Sequence, residues 1–391
     1  MTQKLYETDG HLREFTAEVL SCVPAGDHYE VTLDRTAFFP GGGGQAADTG
    51  TIADAEVFAM RSSDDEILHC TRQPVFPGMA LCRIDWEARF RRMQRHSGEH
   101  ILSGILHTEY GCTNVGFHMG HDCVTVDVDG RLSDEQLARA ELLANRAVWE
   151  DRPVTVSFPS PEELSSLAYR SKLELTENVR IVTVEGYDCC ACCAPHVSRT
   201  GEIGLIKIRS ACPNKGGTRM ELLCGQDAYA DYCRKAELNA EIQKLLSVRP
   251  DKTAYAVDKT LRELNAARFE LSRLRAELVQ AGLTLCRRGG LTYGCSAASC
   301  CGFAELQSCA EKLSLPPQEV CVLFGQTEQG LLYFASSAQT DVRPLVQYLN
   351  RTFSGRGGGK AVYAQGRVAA DWADVSAALA AAPLPLPENL L

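Results

Sequence analysis

Hydrophobic and polar positions change period several times along the chain. Up to about residue 85, apolar and polar residues alternate in short runs at 15–20, 28–33 and 57–60, divided by turn-forming residues. Such runs predict the strands of a small β domain. Between them, the stretch 36–52 reads TAFFPGGGGQAADTGTI. Four consecutive glycines suit neither a helix nor a strand interior; they predict a tight turn or a close approach of backbone to something else. No GK[ST] follows, so the run is not a phosphate loop.

From residue 86 the period lengthens. In the stretch 91–106, RRMQRHSGEHILSGIL, Met93, Ile101, Leu102, Ile105 and Leu106 form one helical stripe. A second amphipathic helix is expected over 133–151. Ser133 is its N-cap, Gln136 completes a capping box, Leu137, Ala140, Leu143, Ala147 and Val148 give its face, and Pro153 stops it. Runs at 122–128, 154–158, 179–184, 204–208 and 219–223 read as strands, and the mixture predicts an α+β domain.

Beyond residue 227 the pattern is helical with a seven-residue repeat. Val257, Leu264, Leu271 and Leu278 mark one seam position, and Thr260, Ala267, Leu274 and Ala281 the other. Pro250 separates this segment from an earlier helix ending near Val248, which predicts a helical hairpin or coiled-coil arm, either a spacer or an oligomer interface. Gly289 and Gly290 open a last domain with strands at 320–324 and 331–336 and a helix at 342–353. The glycine-rich stretch 354–368, SGRGGGKAVYAQGRV, fails the Walker pattern because Ala361 stands where Ser or Thr is needed. It predicts a turn or loop beside the basic Arg356, Lys360 and Arg367, and the tail PLPLPENLL a disordered end. The expected domains are therefore 1–85, 86–226, 227–284 and 285–391.

At 391 residues, 45% hydrophobic and 23% charged, the composition is that of a multidomain globular protein. The N-terminus lacks the apolar core of a signal peptide and no run reaches membrane-span length, so a cytoplasmic protein with no membrane partner is expected. In that compartment the 18 cysteines are expected to be reduced. Cys295, Cys300, Cys301, Cys309 and Cys321 lack paired CxxC spacing and read as buried thiols. The net charge of −10 argues against indiscriminate nucleic-acid binding. It leaves room for a specific RNA held by local basic groups: Arg91, Arg92 and Arg95, then Lys215 and Arg219, then Arg356 and Lys360.

The chemistry concentrates in two pairs. His96 and His100 are four residues apart on the predicted helix, so both imidazoles face one point. In CCACCAPHV, Cys192 and His196 repeat the spacing. Two His-type donors plus a Cys/His pair make a four-ligand set of the kind zinc prefers, one ion per chain. Glu99 does not create an HExxH protease motif, because Ser97 occupies the place where that Glu must stand.

Four stretches occur together in an order that resembles the freestanding alanyl-tRNA editing proteins, relatives of the editing half of alanyl-tRNA synthetase. TAFFPGGGGQ…DTG is similar to the FYPEGGGQ…DTG motif of that family, RHSGEH to its H-x3-H, and DCCACCAPHVSRTGEIGLIKI to its CGGTHV…TGEIG.IKI. SGRGGGKAVYAQG is similar to the glycine-rich motif of the DHH-associated domain in the long type. Gly41 stands where Glu is usual, and Cys193, Ala194 and Pro195 replace Gly-Gly-Thr, but the Cys192–His196 spacing survives. The resemblance covers nearly the whole chain. It implies a β-barrel-like N-terminal domain, a zinc-containing α+β editing domain, and a C-terminal α/β domain of the DHH-associated kind.

It also implies a reaction: hydrolysis in trans of serine, and glycine, esterified to alanine tRNA, since the chain starts at the editing segment. The chemistry is reasonable, because a pocket for alanine discriminates poorly against these two amino acids. His96, His100, Cys192 and His196 are then the metal ligands. The zinc either activates water, with one ligand giving way, or only orders the pocket. Gln45 and His118 are candidate polar groups at the pocket, and Thr36 or Thr113 a candidate partner for a serine hydroxyl, which would leave alanine unmatched. A homodimer through the C-terminal half is a further expectation. The alternative, motivated by the altered CCAPH turn, is a zinc-stabilised tRNA-binding or assembly module without catalysis. A phosphoesterase is not expected, since the sequence has neither a DHH motif nor an Asp-rich metal cluster.

Overall fold

The alternating runs at the start of the chain close into a barrel. Strands β1 (Glu14–Ala25), β2 (His28–Leu33), β3 (Gly50–Ile52), β4 (Ala55–Ser63), β5 (Glu66–Thr71) and β6 (Gly78–Ile84) join in the order β1-β2-β5-β4-β3-β6. All pairings are antiparallel. Alternate residues point inward, and Phe15, Ala17, Val19, Val31, Leu33, Phe38, Ile52, Val57 and Cys82 fill the interior. This computed structural model describes residues 2–63, 66–171 and 179–382. The expected disordered tail, 383–391, lies outside them.

The chain forms two compact bodies, Met1–Glu241 and Ile242–Leu391. In the first body, helix α1 (Trp86–Tyr110) follows the barrel directly, capped by the Asp85 carboxylate accepting the Ala88 N–H at 3.2 Å. Arg89 ties it back to the barrel. This fully buried guanidinium pairs with the equally buried Asp48 and also donates to the carbonyls of Gly10 at 3.0 Å and Ala37 at 2.6 Å. The predicted stripe understates the burial of α1, whose residues Met93 to Leu106 are buried on every side. It packs on α2 (Asp134–Glu150), on one strand of a three-stranded sheet and on one face of a four-stranded sheet. The three-stranded sheet runs β9 (Val154–Ser157), β10 (Ile181–Val184), β11 (Asp188–Ala191). The four-stranded sheet runs β12-β13-β8-β7, where β7 is Asn114–Met119, β8 Val124–Val128, β12 Ile206–Asn214 and β13 Gly217–Cys224.

Two glycines permit this packing. A Cβ on Gly98 would lie 2.5 Å from Cys224 Sγ, and one on Gly104 2.3 Å from the Tyr187 carbonyl oxygen. The helix expected at 133–151 forms as predicted, with the Ser133–Gln136 capping box in place. The helical region after 226 forms as α3 (Gln226–Leu246) and α4 (Thr253–Ala281).

The second body centres on a six-stranded sheet. Its strands are β14 (Leu283–Arg288), β15 (Leu291–Ser296), β16 (Val320–Thr327), β17 (Gly330–Ser336), β18 (Arg356–Lys360) and β19 (Tyr363–Val368), in the order β14-β15-β16-β17-β19-β18. Only β15 and β16 pair in parallel, across helix α5 (Phe303–Lys312), because the other neighbours are joined through antiparallel pairings. The sheet is thus largely antiparallel, with one parallel pair. The glycine-rich stretch also departs from the expected loop, because Arg356–Lys360 forms an exposed edge strand paired with β19. Cys295, Cys301, Cys309 and Cys321 are buried in apolar clusters of this body. No described helix is long and apolar enough to cross a membrane.

Candidate metal centre

His96, His100, Cys192 and His196 converge in the first body, with one donor atom from each within 4.8 Å of all the others. Cys192 Sγ lies 3.6 Å from His96 Nε2 and 3.3 Å from His196 Nε2. The two histidines of α1 meet as their four-residue spacing predicts. The second pair meets differently: no helical turn forms at 192–196, and the segment leaves β11 without regular structure. Pro195, which carries no donor and has a fixed φ, is compatible with that irregular path.

Each imidazole is held from behind at Nδ1. His96 donates to Gln45 Oε1 at 2.8 Å, and His100 donates to Asp188 Oδ2 at 3.1 Å. His196 Nδ1 sits 3.0 Å from Ser97 Oγ, which also accepts the Val197 N–H at 3.2 Å. Asp188 is itself clamped by Arg170, whose Nε and Nη2 donate at 2.7 and 2.8 Å. Outer partners of this kind fix the tautomer and aim the other nitrogen at a metal.

The electrostatics agree. Burial alone would raise the Cys192 thiol, but the surrounding imidazoles outweigh it and hold the thiol well below its ordinary value. Burial depresses His100, yet the Asp188 bond and the Cys192 sulfur reverse this and carry it well above. His196 has no such carboxylate, and burial pushes it down to about 3. A soft thiolate and three imidazole nitrogens, buried and braced, are the donor types that fit a zinc-type ion.

The cluster opens onto a cavity of about 1200 Å³ lined by Glu99, Asn114, Phe117, Arg170, Arg180 and Lys4 among others. The glycine run forms part of its wall. Gly41 to Gly44 all have positive φ, and reciprocal Gly42–Gln45 backbone bonds of 3.0 Å make a tight turn that swings Gln45 inward. A Cβ on Gly44 would strike Phe117, which stacks on His96 with centroids 5.1 Å apart.

Other expected residues fall elsewhere. Thr113 lies at the cavity edge, with its backbone N–H bound to Asp129 at 2.7 Å. Thr36 is in the barrel wall, 2.9 Å from His69 Nε2, and accepts the Phe38 N–H at 3.1 Å. His118 is exposed and outside the cavity lining, because strand alternation gives the inward place to Phe117. Arg95 is buried and donates to Asp227 at 2.5 Å and to the carbonyls of Gly120 and His121; Arg91 also donates to Asp227, at 2.6 Å. Arg92 lies 3.7 Å from the buried Asp48. Arg219 is bidentate on Asp127 at 2.7 Å. These four arginines are therefore ion-paired within the fold, with the Arg91 and Arg219 side chains still partly exposed. Lys215, Arg356 and Lys360 are exposed.

Sequence reasoning passed over Ser97, Glu99, Asn114, Phe117, Arg170, Arg180 and Asp188. Ser97 lay inside the quoted motif, and alternation from His118 would have yielded Phe117. Arg170 and Arg180 stand at no diagnostic spacing.

Residues 179–221, which include Cys192 and His196, match the family described as the threonyl and alanyl tRNA synthetase second additional domain. The chain is 28% identical to the alanyl-tRNA editing protein AlaX-L of Pyrococcus horikoshii, over 95% of each. It is thus similar to that editing protein along nearly its whole length. It is also 29% identical to an alanine–tRNA ligase of Pyrococcus abyssi, over 94% of this chain but only 42% of the ligase. With the alanyl-tRNA editing protein Aarsd1 of Mus musculus it shares 32% identity over 52% of this chain and 54% of the other.

Proposed function

We infer that the protein is an aminoacyl-tRNA deacylase that acts in trans on alanine tRNA wrongly charged with serine, and with glycine. The observation that carries this reading is the His96–His100–Cys192–His196 cluster opening onto a cavity, in a chain related from end to end to an editing protein. These four residues would hold one zinc ion, which supplies electrostatic polarisation of the ester carbonyl or order to the pocket. Gln45, Ser97 and Asp188 keep the three imidazoles aimed. Phe117 and the Gly41–Gly44 turn wall off solvent from the reacting end. Thr113 is the candidate reader of the serine hydroxyl, since the Thr36 hydroxyl is already engaged by His69.

The remaining parts are read as tRNA-binding and assembly elements in a cytoplasmic protein. The divisions 1–85, 86–226, 227–284 and 285–391 are kept, with Lys215, Arg356 and Lys360 as tRNA contacts. Leu261, Leu264, Leu271, Leu274 and Leu278 leave an exposed apolar face on α4, which supports a homodimer through the C-terminal half.

The test is a deacylation panel with Ser-, Gly- and Ala-tRNA(Ala), run alongside metal analysis. About one zinc per chain and hydrolysis of the first substrates but not the last are expected. Tight tRNA binding with no hydrolysis above buffer would favour the non-catalytic reading.

A further inference from the structure

Arg180 lines the cavity although the residue is only 8% exposed. Its Nε donates to the Glu7 carbonyl at 2.9 Å, and its Nη1 to the carbonyls of Cys192 at 2.7 Å and Ala194 at 2.9 Å. Among the described residues, no carboxylate pairs with this guanidinium, and its Nη2 donates to nothing. The neighbouring cations differ. Arg170 is matched by Asp188, and Lys4 at the rim by the Glu7 carboxylate at 3.9 Å. A guanidinium does not shed its proton, and a buried charge without a counter-charge is unfavourable. The Cys192 sulfur and the nearby Glu7 carboxylate, which Lys4 also shares, offset part of it without bonding to Nη2, and the cavity leaves room for an anion.

We propose that Arg180 anchors the phosphate of the terminal nucleotide of the substrate through Nη2. The proposal rests on the deacylase reading. In an aminoacyl-tRNA the ester to be cleaved and the 5′ phosphate belong to the same nucleotide, separated by one ribose. Arg180 holds the carbonyl of Cys192, whose sulfur is in the cluster, and itself lines the cavity. One side chain thus sets the distance between phosphate and metal centre. With Nε and Nη1 fixed by backbone carbonyls, Nη2 is held in place to donate a charge-assisted bond to a phosphate oxygen.

The experiment compares Ser-tRNA(Ala) with 2′(3′)-seryl-adenosine, which has the ester but lacks the phosphate. For Arg180→Lys, KM for Ser-tRNA(Ala) should rise by about tenfold or more, as expected for one lost charge-assisted bond. Hydrolysis of seryl-adenosine should fall by much less, because the loss of the bonds to the Cys192 and Ala194 carbonyls affects both substrates alike whereas the phosphate contact exists in only one. Equal losses on both substrates, no loss on either, or lost zinc in a folded variant overturns the proposal. A second arm needs no variant: with the wild-type protein, adenosine 5′-monophosphate should bind about tenfold more tightly than adenosine. Equal binding of the two overturns the proposal even if Arg180→Lys fails to fold. A wild-type protein that hydrolyses neither ester contradicts the deacylase reading, and the nucleotide arm still decides the anchor.

Discussion

Asp188 accepts from His100 on one side and from Arg170 on the other, so it sets the ring orientation of one proposed ligand. Asp188→Asn should lower zinc affinity by about ten- to a hundredfold, the usual consequence of losing such a partner, and chelator competition measures it. Unchanged affinity would remove Asp188 from the account. Cys192→Ala should lose zinc and deacylation together, whereas Cys193→Ala should keep both. The Cys193 sulfur lies beside Gly42 and Gly43, 3.7 Å from where a Cβ on either would stand. Zinc retained in the first variant and lost in the second would shift the ligand register by one. The four candidate ligands were legible in the sequence because i,i+4 spacing is a local signal. Asp188 and Arg180 were not, since nothing local marks a residue whose partners come from other elements. The pairing of Arg91 and Arg95 with Asp227 was hidden for the same reason, since Asp227 belongs to another helix.

Within the barrel, His69 occupies a fully enclosed place, donating from Nδ1 to the Val31 carbonyl at 3.1 Å, with Thr36 on its Nε2. Burial pulls it down to about 4, whereas an unfolded histidine titrates near 6.5. Between these values the unfolded chain binds more protons than the folded one. The contribution of His69 is therefore complete above about pH 6.5 and falls as pH drops through that window, with about 3 kcal/mol gone below about pH 4. Denaturant melts from pH 7 to 4 should show this slope, and His69→Gln should flatten it; identical slopes would contradict the assignment. Elements with a strong local code, such as the capped α2 and the alternating strands, were read correctly apart from their ends. The edge strand Arg356–Lys360 was not, because three glycines in five residues carry a turn signal that pairing with β19 overrides. The irregular path at 192–196 was not legible, because spacing alone cannot tell a helix from an irregular segment bent back by its tertiary contacts.

At the scale of the whole molecule, the first body contains the cluster, its supporting residues and the cavity. Cutting at residue 227 would remove the carboxylate that neutralises Arg91 and Arg95, so a truncation belongs after Glu241. The protein ending at Glu241 should fold, bind zinc and hydrolyse Ser-tRNA(Ala) with weaker tRNA affinity; unchanged affinity and selectivity would give the second body another role. The four-regime pattern marked where the architecture changes. It did not reveal the strand order of the second body, since pairing partners distant in sequence leave no periodic trace. The central claim is that the cluster and cavity make an editing site. The most direct test is the initial rate of deacylation of Ser-tRNA(Ala) against Ala-tRNA(Ala) by the wild-type protein and by Cys192→Ala. The account predicts rapid loss of serine, sparing of alanine, and only the buffer rate for the variant. A wild-type rate on Ser-tRNA(Ala) no faster than buffer, or equal rates on the two substrates, would contradict it.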